Sequence, residues 1–545
     1  MLNSPSPSLP VDNLSLNRSN LSEALATATA HHQAGRLTQA EQIYRQILQQ
    51  QPQQVEVLNL LGVIACQKGQ LEEGIALYRQ ALTIKPSFTG ARENLCLALW
   101  KLGRQMIEEA IANYSQIANF EPKNLKAYDG LGAIFQDQNK LDEALTYYQQ
   151  ALIIQPEEPQ TLNNIGVILQ RQGKVKTAIS FHQRALAAQP NCGEAHISLG
   201  TALHEQGKFA EAADCFNRAL QLAPNNPNAH YNRGLLLLIQ GNYQEGFAEY
   251  EWRLHTGEFP PCPFKQPVWD GSHLKGRTLL LHAEQGLGDT IQFIRYAPII
   301  AQKGGRIVFT CHKPLMRLMA TIPGIDQLVP LGFPLPEFHT YAPLLSLPHI
   351  LGTTLETVPN AVPYLHPPAS NWHLNHSPET QLKVGIVWSG GNLYKRNQVR
   401  SCPLIHFQPL FNIPGIVYYS LQKGIPQVDL LELSDETQVQ DLSNQLNDMA
   451  DTATAIAQLD LVITVDTSIA HLAGALGKPV WTLLSYVPDW RWLLHREDTP
   501  WYPTMRLFRQ NHPGDWPGVM NKVEQALKES IKNPSHLQKP VDRSL

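Results

Sequence analysis

The segment Leu279–Phe293, LLLHAEQGLGDTIQF, runs from an apolar stretch through two glycines to a lone aspartate and then turns helical. Asp289 has two compatible readings. As the first residue of D-x-x-Q it is a helix cap. As a carboxylate beside Gly286 and Gly288 it is a general base that takes the proton of an attacking hydroxyl. A cap does not require Gly-Leu-Gly before it, whereas an acceptor approaching a wall stripped of side chains does. Glu284 and Gln285, just upstream, are candidate acceptor contacts, and Glu284 is the alternative base.

A second turn, LVITVDTSIAHLAGALGKPV (Leu461–Val480), places Asp466, Thr467 and Ser468 where an apolar strand gives way to a helix that Gly477 ends. Free N–H groups and the positive end of the helix dipole suit a phosphate there. The hydroxyls of Thr467 and Ser468 add donors, and His471 lies one turn further in. Taken alone, Asp466 or Thr467 reads as a cap and His471 as a core residue.

Leu382–Gly424 holds Lys383, Lys395, Arg396, Arg400 and Lys423 and no Asp or Glu. In a chain of formal net charge -4 this is a local positive field. Its glycine turn, Ser389-Gly390-Gly391, lets backbone approach a ligand, and Lys395 and Arg400 would neutralise a pyrophosphate. A solvated basic loop is the plain alternative.

These turns need strands behind them. Strands are predicted at 278–283, 306–311, 326–331, 383–388, 415–421, 460–465 and 479–484, and helices at 289–303, 314–322, 451–459, 468–476 and 515–531. Alternating β and α predicts parallel sheets with ligand at the strands' carboxyl ends. The first half of the chain is different. Gly62, Gly132, Gly166, Gly200 and Gly234 are followed twelve residues later by a small residue, and four after that by Tyr78, Tyr148, His182, Phe216 and Tyr250. Pro52, Pro86, Pro122, Pro156, Pro190 and Pro224 close the units, whose period is 34 residues. The glycine is expected to let two helices approach and the aromatic to fill the gap to the next unit. The unit ending at Pro122 carries two extra residues, expected in its inter-helix turn.

This period resembles the tetratricopeptide (TPR) repeat, over about seven units. Residues 278–531 resemble the bacterial heptosyltransferase-type glycosyltransferases, which have the two-Rossmann GT-B fold. The resemblance is carried by G-L-G-D-T (Gly286–Thr290), V-W-S-G-G (Val387–Gly391) and D-T-S-I-A-H (Asp466–His471), with Gln422 and Lys423 of SLQKG fitting a donor-side loop. A TPR array ahead of such a domain is also similar to the O-linked N-acetylglucosamine transferases of proteins. The resemblance implies an inverting, metal-independent transferase whose base is Asp289. Asp466, Thr467, Ser468 and His471 would hold the diphosphate of a UDP- or ADP-linked sugar. It implies no cofactor beyond that substrate. The first α/β half is short for an acceptor domain, which points to an acceptor other than a lipid-linked sugar and to the TPR groove as a second acceptor surface. No D-x-D occurs, the pair with which the other large glycosyltransferase fold holds a metal.

The expected fold is an all-α TPR superhelix followed by an α/β GT-B-like double Rossmann domain. The expected segments are a disordered leader (1–20), the solenoid (21–258), a Pro-rich linker (259–277), an acceptor-side half (278–370), an inter-half linker (371–381), a donor-side half (382–531) and a flexible tail (532–545). His373 and His376 fall in the inter-half linker and read as linker residues rather than metal ligands. Trp490, Trp492 and Trp501 read as packing between the halves before a sugar-stacking platform. The charge argues against a nucleic-acid partner. Seven scattered cysteines without C-x-x-C, no signal-peptide pattern and no membrane-length apolar run point to the cytoplasm, with a peripheral membrane contact left open. The expected partner is a protein or peptide in the TPR groove. The competing reading is a non-catalytic TPR scaffold with a degenerate transferase domain.

Overall fold

The computed structural model describes residues 18–103, 106–259, 262–391, 397–433, 439–533 and 537. Residues 1–17, most of the expected leader, and nearly all of the expected tail lie outside these. The chain divides into two compact units between Ala195 and His196.

Among the described residues, helices pair as seven hairpins: α1 (Arg18–Gln33) with α2 (Leu37–Gln50), α3 (Val55–Gln67) with α4 (Leu71–Ile84), α5 (Thr89–Leu102) with α6 (Ile107–Phe120), and α7 (Leu125–Asp137) with α8 (Leu141–Ile154). They continue with α9 (Pro159–Arg171) and α10 (Val175–Ala188), α11 (Gly193–Glu205) and α12 (Phe209–Leu222), and α13 (Pro227–Ile239) and α14 (Tyr243–Tyr250). Of the two extra residues of the third hairpin, one lengthens α5 to 14 residues where α3 and α7 have 13, and the other falls between α5 and α6, where Arg104 and Gln105 lie outside the described residues.

The periodic glycine and aromatic meet, but not as the sequence suggests. A Cβ on Gly62 would lie 2.6 Å from the Tyr78 ring, and one on Gly132 would lie 2.7 Å from the Tyr148 ring. Gly166 faces His182 and Gly200 faces Phe216 in the same way. The aromatic therefore covers the glycine of its own hairpin rather than only bridging to the next unit. The missing Cβ makes room for the ring, and the ring locks the two helices together.

The second unit opens with the last hairpins and continues into two parallel sheets. The first has β1 (Thr278–His282), β2 (Arg306–Cys311), β3 (Gln327–Pro330) and β4 (Thr340–Pro343) in the order β3-β2-β1-β4. The second has β5 (Leu382–Val387), β6 (Ile416–Ser420), β7 (Val439–Asp441), β8 (Leu461–Val465), β9 (Val480–Leu484) and β10 (Met505–Arg509) in the order β10-β9-β8-β5-β6-β7. All ladders are parallel. The central strands β6, β8 and β9 are buried at every position, as strands covered on both faces must be. Crossover helices include α15 (Leu287–Phe293), α16 (Met449–Ala457) and α17 (Ser468–Ala475), and α18 (Trp516–Lys532) follows the last strand. Val384, Ile386, Leu461 and Ile463 form one core with Val519, Val523 and Leu527 of α18.

β4, β7 and β10 were not apparent in the sequence, being short or set among prolines and aromatics. Both sheets reverse strand order beside their first strand, between β1 and β4 and between β5 and β8. Such switch points open crevices at the carboxyl ends of the strands. The three chemistry-bearing turns follow β1, β5 and β8. The architecture is thus an all-α repeat array followed by a GT-B-like α/β region.

Candidate functional site

The turn after β1 starts α15 at Leu287, two residues before the expected boundary. Asp289 is therefore the third helical residue and not the cap. Its Oδ2 accepts the Gly286 N–H at 2.8 Å, so it satisfies one orphan donor of the helix start from inside. Its Oδ1 lies 2.5 Å from the guanidinium of Arg491, in the loop after β9. Arg491 also donates from Nε to Gln292 at 2.6 Å and from an Nη to Asp489 at 2.9 Å, and its guanidinium lies over the Trp490 ring. Burial disfavours the Arg491 charge, but Asp489 and Asp289 outweigh it and raise the pKa above the ordinary value. Arg491, Asp489 and Gln292 were missed in the sequence. The only signal was a charged pair inside the aromatic run PDWRW.

The turn after β8 behaves as expected of a helix start. Thr467 is the N-cap of α17, its hydroxyl accepting the Ile469 N–H at 3.2 Å, and Ser468 is the first helical residue. Burial, followed by the like charge of Asp489, pushes the Asp466 carboxyl up to about 6, against the opposing pull of Arg400 and Arg491. His471 is buried, with Nδ1 3.0 Å from the Tyr502 hydroxyl and its ring stacked on Trp492 at 5.2 Å. Burial, then Arg491, Arg295 and Arg400, hold it well below the usual histidine range, so the imidazole is neutral.

The two turns converge. A Cβ on Gly288 would lie 2.9 Å from His471 Cδ2 and 3.4 Å from Ser468 Cα. Gly288 thus departs from its expected role. It faces the start of α17, and its lack of a side chain serves the close approach of two helix N-termini rather than an open acceptor wall.

Glu284 and Gln285 also depart from theirs, since both engage the last repeat hairpin. Glu284 forms a two-pronged pair with fully buried Arg253, at 2.6 and 3.2 Å, and accepts the Leu345 N–H. Gln285 donates to the Tyr250 hydroxyl at 3.1 Å. Glu284 and Asp289 are thus each paired with a buried arginine, Arg253 and Arg491 respectively.

After β5, the Gln422 Oε1 accepts the N–H groups of Trp388 and Ser389, and its Nε2 returns to the Ser389 carbonyl. Gln422 is buried and braces the glycine turn instead of projecting into the crevice. Arg400 lies directly over Gly390, while Gly391 is exposed. Lys423 donates to the Ser443 carbonyl at 2.6 Å. Lys395 and Arg396 lie outside the described residues. Trp490, Trp492 and Trp501 are all buried and pack with Phe293, Tyr243 and His471. His373 and His376 are exposed, and among the described residues no three His, Cys, Asp or Glu side chains group as for a metal ion. No described helix is long and apolar enough to cross a membrane.

Residues 12–235 match the family described as cilia and flagella-associated protein 70 C-terminal domain, and residues 441–509 match glycosyltransferase family 9 (heptosyltransferase). Protein FlbA of Caulobacter vibrioides is 27% identical over 323 residues, covering 52% of this chain and 52% of FlbA. The chain thus spans about half the length of the curated relative it matches. Among solved structures, a tetratricopeptide repeat protein from Parabacteroides merdae aligns over 44% of this chain and 93% of its own, with 16% identity and a TM-score of 0.38. A thermophilic TPR protein of Thermus thermophilus aligns over 34% and 99%, with 20% identity and a TM-score of 0.30. The chain carries a TPR domain and a C-terminal heptosyltransferase-like domain, which supports a glycosyltransferase.

Proposed function

We propose that the α/β region is an inverting, metal-independent glycosyltransferase that moves a sugar from a UDP- or ADP-linked donor to a hydroxyl, and that the TPR array recruits the acceptor or a partner protein. The observation that carries this reading is the approach of Gly288 to Ser468 and His471, which sets a carboxylate-bearing helix start against an anion-suited one.

In the proposed reaction the acceptor oxygen attacks C1 of the donor sugar on the face opposite the diphosphate, and its proton passes to Asp289. The C1–O bond breaks and its electron pair leaves on the diphosphate. The N–H groups at the start of α17, the Thr467 and Ser468 hydroxyls and Arg400 would hold that charge. Lys395 would add to it. A carboxylate offers about four lone-pair sites, so the Gly286 and Arg491 contacts leave Asp289 able to take a proton. Neutral His471 would serve as a hydrogen-bond partner rather than a cation.

Calorimetry with UDP- and ADP-sugars, paired with transfer and hydrolysis assays on wild type and Asp289→Asn, tests the proposal. The expected result is donor binding by both proteins and turnover by wild type alone. Wild-type binding without turnover establishes instead a sugar-nucleotide-binding scaffold. That second reading is favoured by the match at residues 441–509, which covers the donor-side turn and not Asp289.

A further inference from the structure

We propose that the last repeat hairpin belongs to the catalytic machinery, with Tyr250 and Arg253 as positioning residues for the 284–289 turn that carries Asp289. This deepens the transferase reading and rests on it.

The turn is strained and tethered. Gln285 has φ +59°, a left-handed conformation that non-glycine residues adopt rarely and keep only where the surroundings impose it. Its side chain is tied to the Tyr250 hydroxyl at 3.1 Å. The preceding residue, Glu284, is gripped by both arms of Arg253. Arg253 is itself anchored to Ser346 at 2.8 Å and Glu251 at 2.6 Å, and its guanidinium lies 4.9 Å from the Tyr250 ring centre.

The other side of Asp289 rests on the same hairpin. Arg491 follows Trp490, whose ring meets Phe247 at 5.5 Å and Tyr250 at 6.3 Å. The indole of Trp501 donates to the Tyr243 hydroxyl at 3.0 Å. One short helix and the turn that follows it (Glu251–His255) therefore set both the backbone that presents the carboxylate and the loop that supplies its cationic partner.

The repeat pattern marks the diversion. Tyr78, Tyr148, His182 and Phe216 each lay a ring on the glycine of their own hairpin. A Cβ on Gly234 would instead meet the backbone of Glu249 and Tyr250, at 2.8 Å for the Tyr250 nitrogen. The Tyr250 ring has left the repeat position for the turn. α14 is 8 residues long where the second helices before it have 14, so the chain leaves the repeat at Tyr250 itself.

The test uses the full chain with Tyr250→Phe, which removes one hydroxyl and keeps the ring. The control is Tyr148→Phe, the equivalent repeat position in the first unit. Two readouts are taken: amide hydrogen exchange of peptides covering 284–290, and kcat and donor KM for transfer. Tyr250→Phe is expected to speed exchange in that peptide but not in β1, and to lower kcat about tenfold, as one lost positioning hydrogen bond would. Donor KM is expected to stay within about twofold, because the tether touches no donor group. Tyr148→Phe is expected to change neither readout. Unchanged exchange with Tyr250→Phe overturns the proposal, and so does faster exchange with unchanged kcat. If wild type fails to turn over, the transferase reading fails on its own, while the exchange comparison still decides whether Tyr250 holds the turn.

Discussion

Asp289 and Arg491 stand 202 residues apart in the chain and 2.5 Å apart in space, one following β1 and the other following β9. The pair ties the first sheet's candidate base to a loop of the second sheet. Arg491 spends a different nitrogen on each of Gln292, Asp489 and Asp289, a fixed planar spread that the three donors on the single nitrogen of an ammonium do not reproduce.

Arg491→Lys is therefore expected to behave as a loss. Breaking a buried pair of this kind costs about 3–5 kcal/mol when one partner is removed outright, so Arg491→Met should show that fall in urea unfolding and Arg491→Lys part of it. Turnover of the lysine variant should drop at least about tenfold. Wild-type stability and turnover in Arg491→Lys would show that the fixed guanidinium geometry serves neither.

Gly288→Ala places a methyl group 2.9 Å from the His471 ring, which Trp492 and Tyr502 hold and which cannot move aside. The strain should cost about 1–3 kcal/mol and push α15 from α17. Thermal unfolding measures the first effect and donor affinity the second. Gly286→Ala is the comparison, since its added Cβ would meet only the Asp289 carboxylate, at 3.1 Å. Equal behaviour of the two variants would remove the argument for a close approach at Gly288.

Donor binding should depend on pH through Asp466. Burial and Asp489 raise this carboxyl to about 6, so near pH 7 it is ionised and near pH 5 it holds its proton. An anionic diphosphate bound beside it favours the protonated form. Affinity should therefore tighten as pH falls toward about 6 and level off below it, by no more than about tenfold per pH unit for one proton. Calorimetry with an intact UDP- or ADP-sugar between pH 7.5 and 5.5 reads this, and Asp466→Asn should abolish the slope. A slope that survives in Asp466→Asn assigns the proton to another group.

Much of this was readable in order along the chain. The repeat is legible because four of the hairpins meet the same packing requirement, a missing Cβ under a ring. The strands β1, β5 and β8 were legible as apolar runs ending in turn residues, and Thr467 as a cap. Arg491 was not, because nothing within a few residues of it marks a partner 202 positions away. The contacts of Glu284, Gln285 and Gln422 escape the sequence for a related reason. A polar residue at a strand's carboxyl end looks alike whether it faces a ligand or braces a neighbouring loop.

Local periodicity and turn chemistry, which depend on residues within one or two helical turns, were enough to specify a repeat array, parallel α/β layers and the three turns where chemistry could reside. Only the folded chain decided the order of the strands, and with it which turns meet. It also decided that Gly288 makes room for α17, that Arg491 holds Asp289, and that Tyr250 has left its repeat position for the candidate site. Those outcomes rest on ion pairs and ring contacts between distant segments, whose energies depend on distance in space and leave no period in the sequence.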